Sequence, residues 1–134
     1  MKHTSTLTIT SLLSILLFSF HLSDDIARGF EPGGFRQISP ILIMVVWLFA
    51  TLLLTGRRVG YVIILLASIL ASLMPLAHMR GAGLVGGRIA NSNGKFFFVW
   101  TLLAVGVTAL FSVILSVRGL WLSRRSHASE AEKT

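Results

Sequence analysis

Four apolar stretches, at about 4–22, 39–55, 59–79 and 95–120, take up most of this 134-residue chain. Each is close to the roughly 20 residues that a helix needs to cross a hydrocarbon core about 30 Å thick. Inside such a core every backbone N–H and C=O must be bonded within its own segment, so stretches of this length predict transmembrane helices. Composition agrees: with 54% hydrophobic and 13% charged residues, the chain is too apolar to hide its surface as a soluble domain. The boundaries carry helix signals. Pro40 sits in a favourable first turn, Gly56 ends the second stretch, Asn93-Gly94-Lys95 opens the fourth and Arg118-Gly119 closes it.

These readings predict an all-α integral membrane fold, with residues 1–122 forming a single domain of four transmembrane helices. A very short connection joins the second and third stretches and longer ones join the others, which favours an antiparallel up-down-up-down bundle. Residues 123–134, rich in Ser, Glu, Lys and Ala, predict a disordered cytoplasmic tail. The first stretch follows Lys2 and His3 as a secretory signal does, but Ser19-Phe20-His21-Leu22-Ser23-Asp24 offers no pair of small residues for cleavage, so it is read as a retained anchor.

Basic residues set the expected orientation. Lys2, Arg57, Arg58, Arg118, Arg124, Arg125 and Lys133 fall on one face of a four-pass chain. Arg28, Arg36, Arg80, Arg88 and Lys95 fall on the other, together with Asp24, Asp25 and Glu31. The richer face includes the tight Arg57-Arg58 turn, which places both termini in the cytoplasm and the protein in the plasma (inner) membrane. Tyr61, Trp100 and Trp121 stand near the ends of the apolar core, as interfacial aromatics do.

What is absent narrows the chemistry. With zero cysteines, the chain has no thiolate nucleophile, iron–sulfur cluster or Cys-bound zinc, and the quinone-linked disulfide-forming enzymes are excluded. No ionisable residue lies in the middle turns of any stretch, which argues against a proton-coupled pump. The chain resembles small four-helix multidrug exporters in size and helix count only. Where those carry a mid-membrane Glu in the first helix, this one has Ser and Thr.

The ionisable residues gather at the predicted outer end. His21 closes the first stretch, Asp24 and Asp25 follow one turn later, and His78 with Arg80 closes the third. If the first helix continues to Arg28, His21, Asp24 and Asp25 share a face, and the bundle brings His78 to the same depth. His21, Asp24, Asp25 and His78 are thus candidate ligands of a divalent metal, with Arg28, Glu31 and Arg80 as a second ring. His21 and Asp25 are also the candidate catalytic pair, able to hold a proton between them near neutral pH. A haem clamped by the two imidazoles, or a purely structural set of bridges in the headgroup layer, are the other readings.

Packing signals lie on the remaining faces. Ala67, Ala71, Met74 and His78 make a mostly small stripe that should turn inward, and Ser14, Thr101, Thr108 and Ser112, with Gly106 nearby, supply hydroxyls for interhelical bonds. Between Arg28 and Arg36, Pro32-Gly33 predicts a reversed loop flanked by Phe30 and Phe35. Gly81-Ala82-Gly83-Leu84-Val85-Gly86 spells the dinucleotide fingerprint, but it follows a transmembrane stretch rather than a strand and lacks the distal acid, so no nucleotide is expected. Asn91, Ser92 and Asn93 are candidate caps of the fourth helix.

Two classes of function follow. One is an accessory, assembly or partner-binding membrane protein that serves a larger membrane complex or a homo-oligomer. The other is a membrane-embedded metal-dependent enzyme or small apolar-ligand binder that uses the outer cluster. Its basic charge, 12 Lys and Arg against 5 Asp and Glu, suits anionic lipid rather than nucleic acid.

Overall fold

The computed structural model describes the backbone of residues 2–29, 38–82 and 93–131, and the side chains of 3–29, 38–78 and 93–125. The described residues form five helices: α1 Lys2–Ala27, α2 Ile38–Leu53, α3 Arg58–Ser72, α4 Met74–Ala82 and α5 Lys95–Ala131. Three spans, His3–Ala27, Arg58–His78 and Lys95–Arg125, are long and apolar enough to cross a membrane, and α2 is a shorter apolar helix. Residues 30–37 and 83–92 lie outside the described set, and with them the Pro32-Gly33 turn, the two loop phenylalanines, most of the glycine-rich segment and the caps Asn91 and Ser92.

The third stretch is not the single helix that its sequence predicts. It breaks at Leu73, where α3 ends and α4 begins. Pro75 is the cause: it has no N–H to offer the carbonyl of Ala71, and its ring crowds the preceding turn. The amide of Leu73 is shared between the carbonyls of Ile69 and Leu70 at 3.2 and 3.3 Å, and regular bonding resumes with Ala77 N–H to Leu73 O at 3.0 Å. Helix α5 passes close to the break at Gly106, where a Cβ would stand 2.8 Å from Pro75 Cγ.

Packing is built on α5, which meets both α1 and α3 along their length. Tyr61 lies against Gly119, Pro75 against Gly106 and the His78 ring against Phe98, so one span passes residue by residue along the other. Along α1 the buried positions Leu7, Ser11, Ser14, His21 and Asp25, with Phe18 between them partly buried, follow steps of four and three. That is the seam spacing of helices packed at a shallow angle. The inward stripe on α3 and α4 includes Ala67 and Ala71, both buried, and Met74 and His78, partly buried.

The interior is unusually polar, with Ser11, Ser14, Thr51, Ser68, Thr101, Ser112 and Ser116 buried while most Leu, Ile, Val and Phe side chains face outward. Lipid is as apolar as Leu, so helices gain more from small and hydroxyl contacts than from burying aliphatics. Ser112 donates to Thr10 at 3.2 Å across α5 and α1. Thr101, Thr108 and Ser14 instead donate to carbonyls of their own helices. The strongest crossing is one the sequence reading passes over. Trp47 Nε1–H donates to Ser11 Oγ at 2.7 Å, Ser11 meets Thr51 at 2.7 Å and Thr51 returns a proton to the Trp47 carbonyl at 2.8 Å. The ring of three bonds satisfies each hydroxyl once as donor and once as acceptor.

Tyr61 is buried against Gly119, where only a residue without Cβ leaves room for its ring. Helix α5 also continues to Ala131, through most of the segment that composition predicts to be disordered. Ala, Ser and Glu are tolerated in helices, and extending an existing helix avoids the cost of nucleation.

Candidate metal centre

Helix α1 runs to Ala27, beyond the end of its apolar stretch, and this places His21 and Asp25 one above the other on its buried face. From the other side comes α4, whose His78 ring stands 5.0 Å from that of His21, edge to face. Phe98, fully buried at the start of α5, walls the space, 4.9 Å from the His21 ring and 5.8 Å from that of His78.

One carboxylate oxygen is the meeting point. Asp25 Oδ2 is 3.6 Å from His21 Nε2 and 3.7 Å from His78 Nε2. One ligand atom from each of His21, Asp25 and His78 lies within 4.8 Å of the others. His78 Nδ1 is 2.9 Å from the Met74 carbonyl, which can only accept, so Nδ1 carries the proton and Nε2 turns its lone pair or second proton toward Asp25. Both nitrogens of His21 and Oδ1 of Asp25 are buried without a hydrogen-bond partner among the described residues.

The other predicted site residues are placed differently. Asp24 is not one of the three converging groups and accepts from Arg28 Nε at 2.7 Å. The Arg28 guanidinium also lies 5.9 Å from the centre of the Phe98 ring, and one of its terminal nitrogens would stand 2.9 Å from a Cβ on Gly94. Arg28 and Asp24 thus form a pair beside the mouth of the site. Glu31 and the side chain of Arg80 lie outside the described residues. Phe98 is the one wall that sequence reasoning missed. It is the third of three consecutive phenylalanines, and nothing in the sequence alone tells which of them turns inward.

Distances decide what this arrangement can do. An N–H···O hydrogen bond spans about 2.7–3.2 Å, so 3.6 and 3.7 Å are too long for one. Two ligands bonded at about 2.0–2.2 Å to one tetrahedral cation are about 3.4 Å apart. Each imidazole stands close to that separation from the one carboxylate oxygen, the three atoms together lying within 4.8 Å of one another, and the Met74 carbonyl holds the His78 ring from behind, the kind of outer contact that commonly orients a ligating imidazole. The two imidazoles touch each other and turn to one oxygen, an arrangement without the slot between opposed nitrogens that a clamped haem requires. Neither a protein-family model, nor a curated protein, nor a solved structure matches this chain.

Proposed function

We propose that the protein is a four-span membrane protein that holds a divalent first-row metal, of the zinc or iron(II) class, on His21, Asp25 and His78 at the outer mouth of its bundle. Of the two classes that the sequence leaves open, an accessory or assembly protein and a metal-dependent one, the observation that favours the second is the spacing around Asp25 Oδ2. Three ligands on two helices leave a further coordination position, as in centres that act on a bound water or substrate. The antiparallel up-down-up-down order is supported by the contacts of Tyr61 with Gly119 and of His21 with Phe98, which lie at opposite ends of α5. Placement in the inner membrane with both termini cytoplasmic is supported by the arginines gathered at the end away from the site.

Metal analysis tests this reading. Protein purified in detergent, stripped with a chelator and reloaded with zinc or iron(II), is expected to retain about one equivalent. His21→Ala and Asp25→Asn should each abolish retention, and the double variant should be no worse than either, because ligands of one ion act as a unit. Asp24→Asn should keep the metal, since that carboxylate is committed to Arg28. Wild-type protein that retains nothing, or losses equal in Asp24→Asn and Asp25→Asn, would return the cluster to a structural role.

A further inference from the structure

The end of the bundle away from the metal centre carries a different chemistry. On α5, Val117, Leu120, Trp121 and Arg124 fall at helical spacing and line a shallow groove of about 260 Å³. Trp121 is half exposed, and the Arg125 guanidinium lies 3.6 Å from the centre of its ring. A cation held at that distance over an indole is fixed in place by the ring's electrons. The contact of Tyr61 with Gly119 brings the α2–α3 turn, with exposed Arg57 and Arg58, to the same end. Exposed Arg118 completes a set of guanidiniums there. The described carboxylates, Asp24 and Asp25, belong to the opposite end, while the side chains of Glu130 and Glu132, further along the chain, lie outside the described set.

Depth settles what meets this end. Trp100 and Trp121 both expose their rings, and 21 helical residues put them about 31 Å apart along α5, one hydrocarbon thickness. Trp121 therefore marks the second interface, with Arg124 and Arg125 at headgroup level and Val117 and Leu120 among the acyl chains. Guanidinium groups bind phosphate oxygens in pairs, and an apolar groove directly beneath them suits a chain attached to that phosphate.

We infer that this end is a binding site for an anionic phospholipid, whose phosphate is held by Arg124 and Arg125 with Arg57 and Arg58 nearby, and whose acyl chain lies along Val117 and Leu120 below Trp121. The site is independent of the metal centre, and it would hold lipid whether or not His21 holds metal.

Native mass spectrometry of the detergent-purified full chain, with phosphatidylglycerol and phosphatidylcholine of matched acyl chains, reads this directly. Wild type is expected to retain phosphatidylglycerol preferentially, and Arg124→Gln and Arg125→Gln to lose about fivefold in retention each, the effect of one basic side chain near an anionic surface. Lys95→Gln, at the other end, serves as the charge-matched control and should leave the preference intact, with helicity by circular dichroism equal in all variants. Equal retention of the two lipids, or a preference that survives in the Arg124→Gln/Arg125→Gln double variant, overturns the proposal. So does loss of phosphatidylglycerol to millimolar inorganic phosphate, which would mean that the arginines take free phosphate. Binding of an acidic peptide with no lipid preference would point to a protein partner instead, and it also counts against the lipid.

Discussion

His78 and Asp25 stand with Nε2 and Oδ2 3.7 Å apart, across the space between α4 and α1, and Pro75 lies one helical turn before His78. Gly106 of α5 admits the Pro75 ring, where a Cβ would stand 2.8 Å from Pro75 Cγ. The proposed metal site is therefore expected to depend on a proline outside it.

Pro75→Ala should show this. Alanine restores the N–H toward the Ala71 carbonyl and removes the ring, so α3 and α4 can join as one regular helix and His78 is expected to shift from Asp25. Metal affinity is expected to fall by about tenfold or more, the effect typical of losing the support behind a ligand. Helix content should stay the same or rise slightly by circular dichroism. Unchanged affinity by competition with a chelating dye would mean that α4 is positioned without the proline.

Metal should also stabilise the bundle. A ligand at a hundredfold its dissociation constant, bound only by the folded state, adds about 2.7 kcal/mol. Thermal unfolding in detergent should therefore move to higher temperature when zinc is added to stripped protein, and not in His21→Ala. Metal ligands must be deprotonated imidazole and carboxylate, so acid competes with metal and the gain should shrink as pH falls. A gain of equal size in His21→Ala would place the ion elsewhere.

At the other end, Tyr61 of α3 packs closely on Gly119 of α5. A Cβ on residue 119 would stand 2.3 Å from Cε1 of the tyrosine ring, so Gly119→Ala forces the ring or the helix to move. Overpacking of this kind costs about 1–3 kcal/mol. The double variant with Tyr61→Leu should recover part of that loss, because a smaller side chain faces the new methyl group. Denaturant titration of the two single variants and the double measures the coupling, and strictly additive losses would show that the ring and the glycine do not compete for one space.

Much of this molecule is legible in the sequence because bilayer thickness is so restrictive. The ends of the apolar stretches, the small stripe ending at His78 and the i,i+4 relation of His21 to Asp25 all follow from length and period alone. Other features depend on which face each helix turns inward. Asp24 and Asp25 are adjacent and chemically alike, yet a rotation of about 100° per residue sends one to Arg28 and the other into the bundle. Phe98 differs from Phe96 and Phe97 only in the same way. The Trp47, Ser11 and Thr51 ring was hidden for a further reason, since its members come from two helices and neither half is unusual by itself. The break at Leu73 was readable: Pro75 inside an apolar run is a signal for a kink that hydropathy alone passes over.

The orientation of the chain is open to direct measurement, because the natural sequence contains no cysteine to confuse the result. The arginines at 57, 58, 118, 124 and 125 outnumber the basic residues described at the metal end, Arg28 and Lys95, together with the backbone-placed Arg80. They also lie in short segments next to the spans, where the bias toward the cytoplasm is strongest. Gly33→Cys, in the connection that follows the metal-site end of α1, should then react with a membrane-impermeant thiol reagent in intact cells. His127→Cys, beyond Arg125 on α5, should react only after the membrane is opened. The opposite pattern would invert the protein, put the His21, Asp25 and His78 centre on the cytoplasmic side and leave the arginines facing out. Labelling of both positions in intact cells would mean that the number of spans between residues 33 and 127 is even rather than odd, and α2, shorter than the three membrane-length spans, would be the one that does not cross.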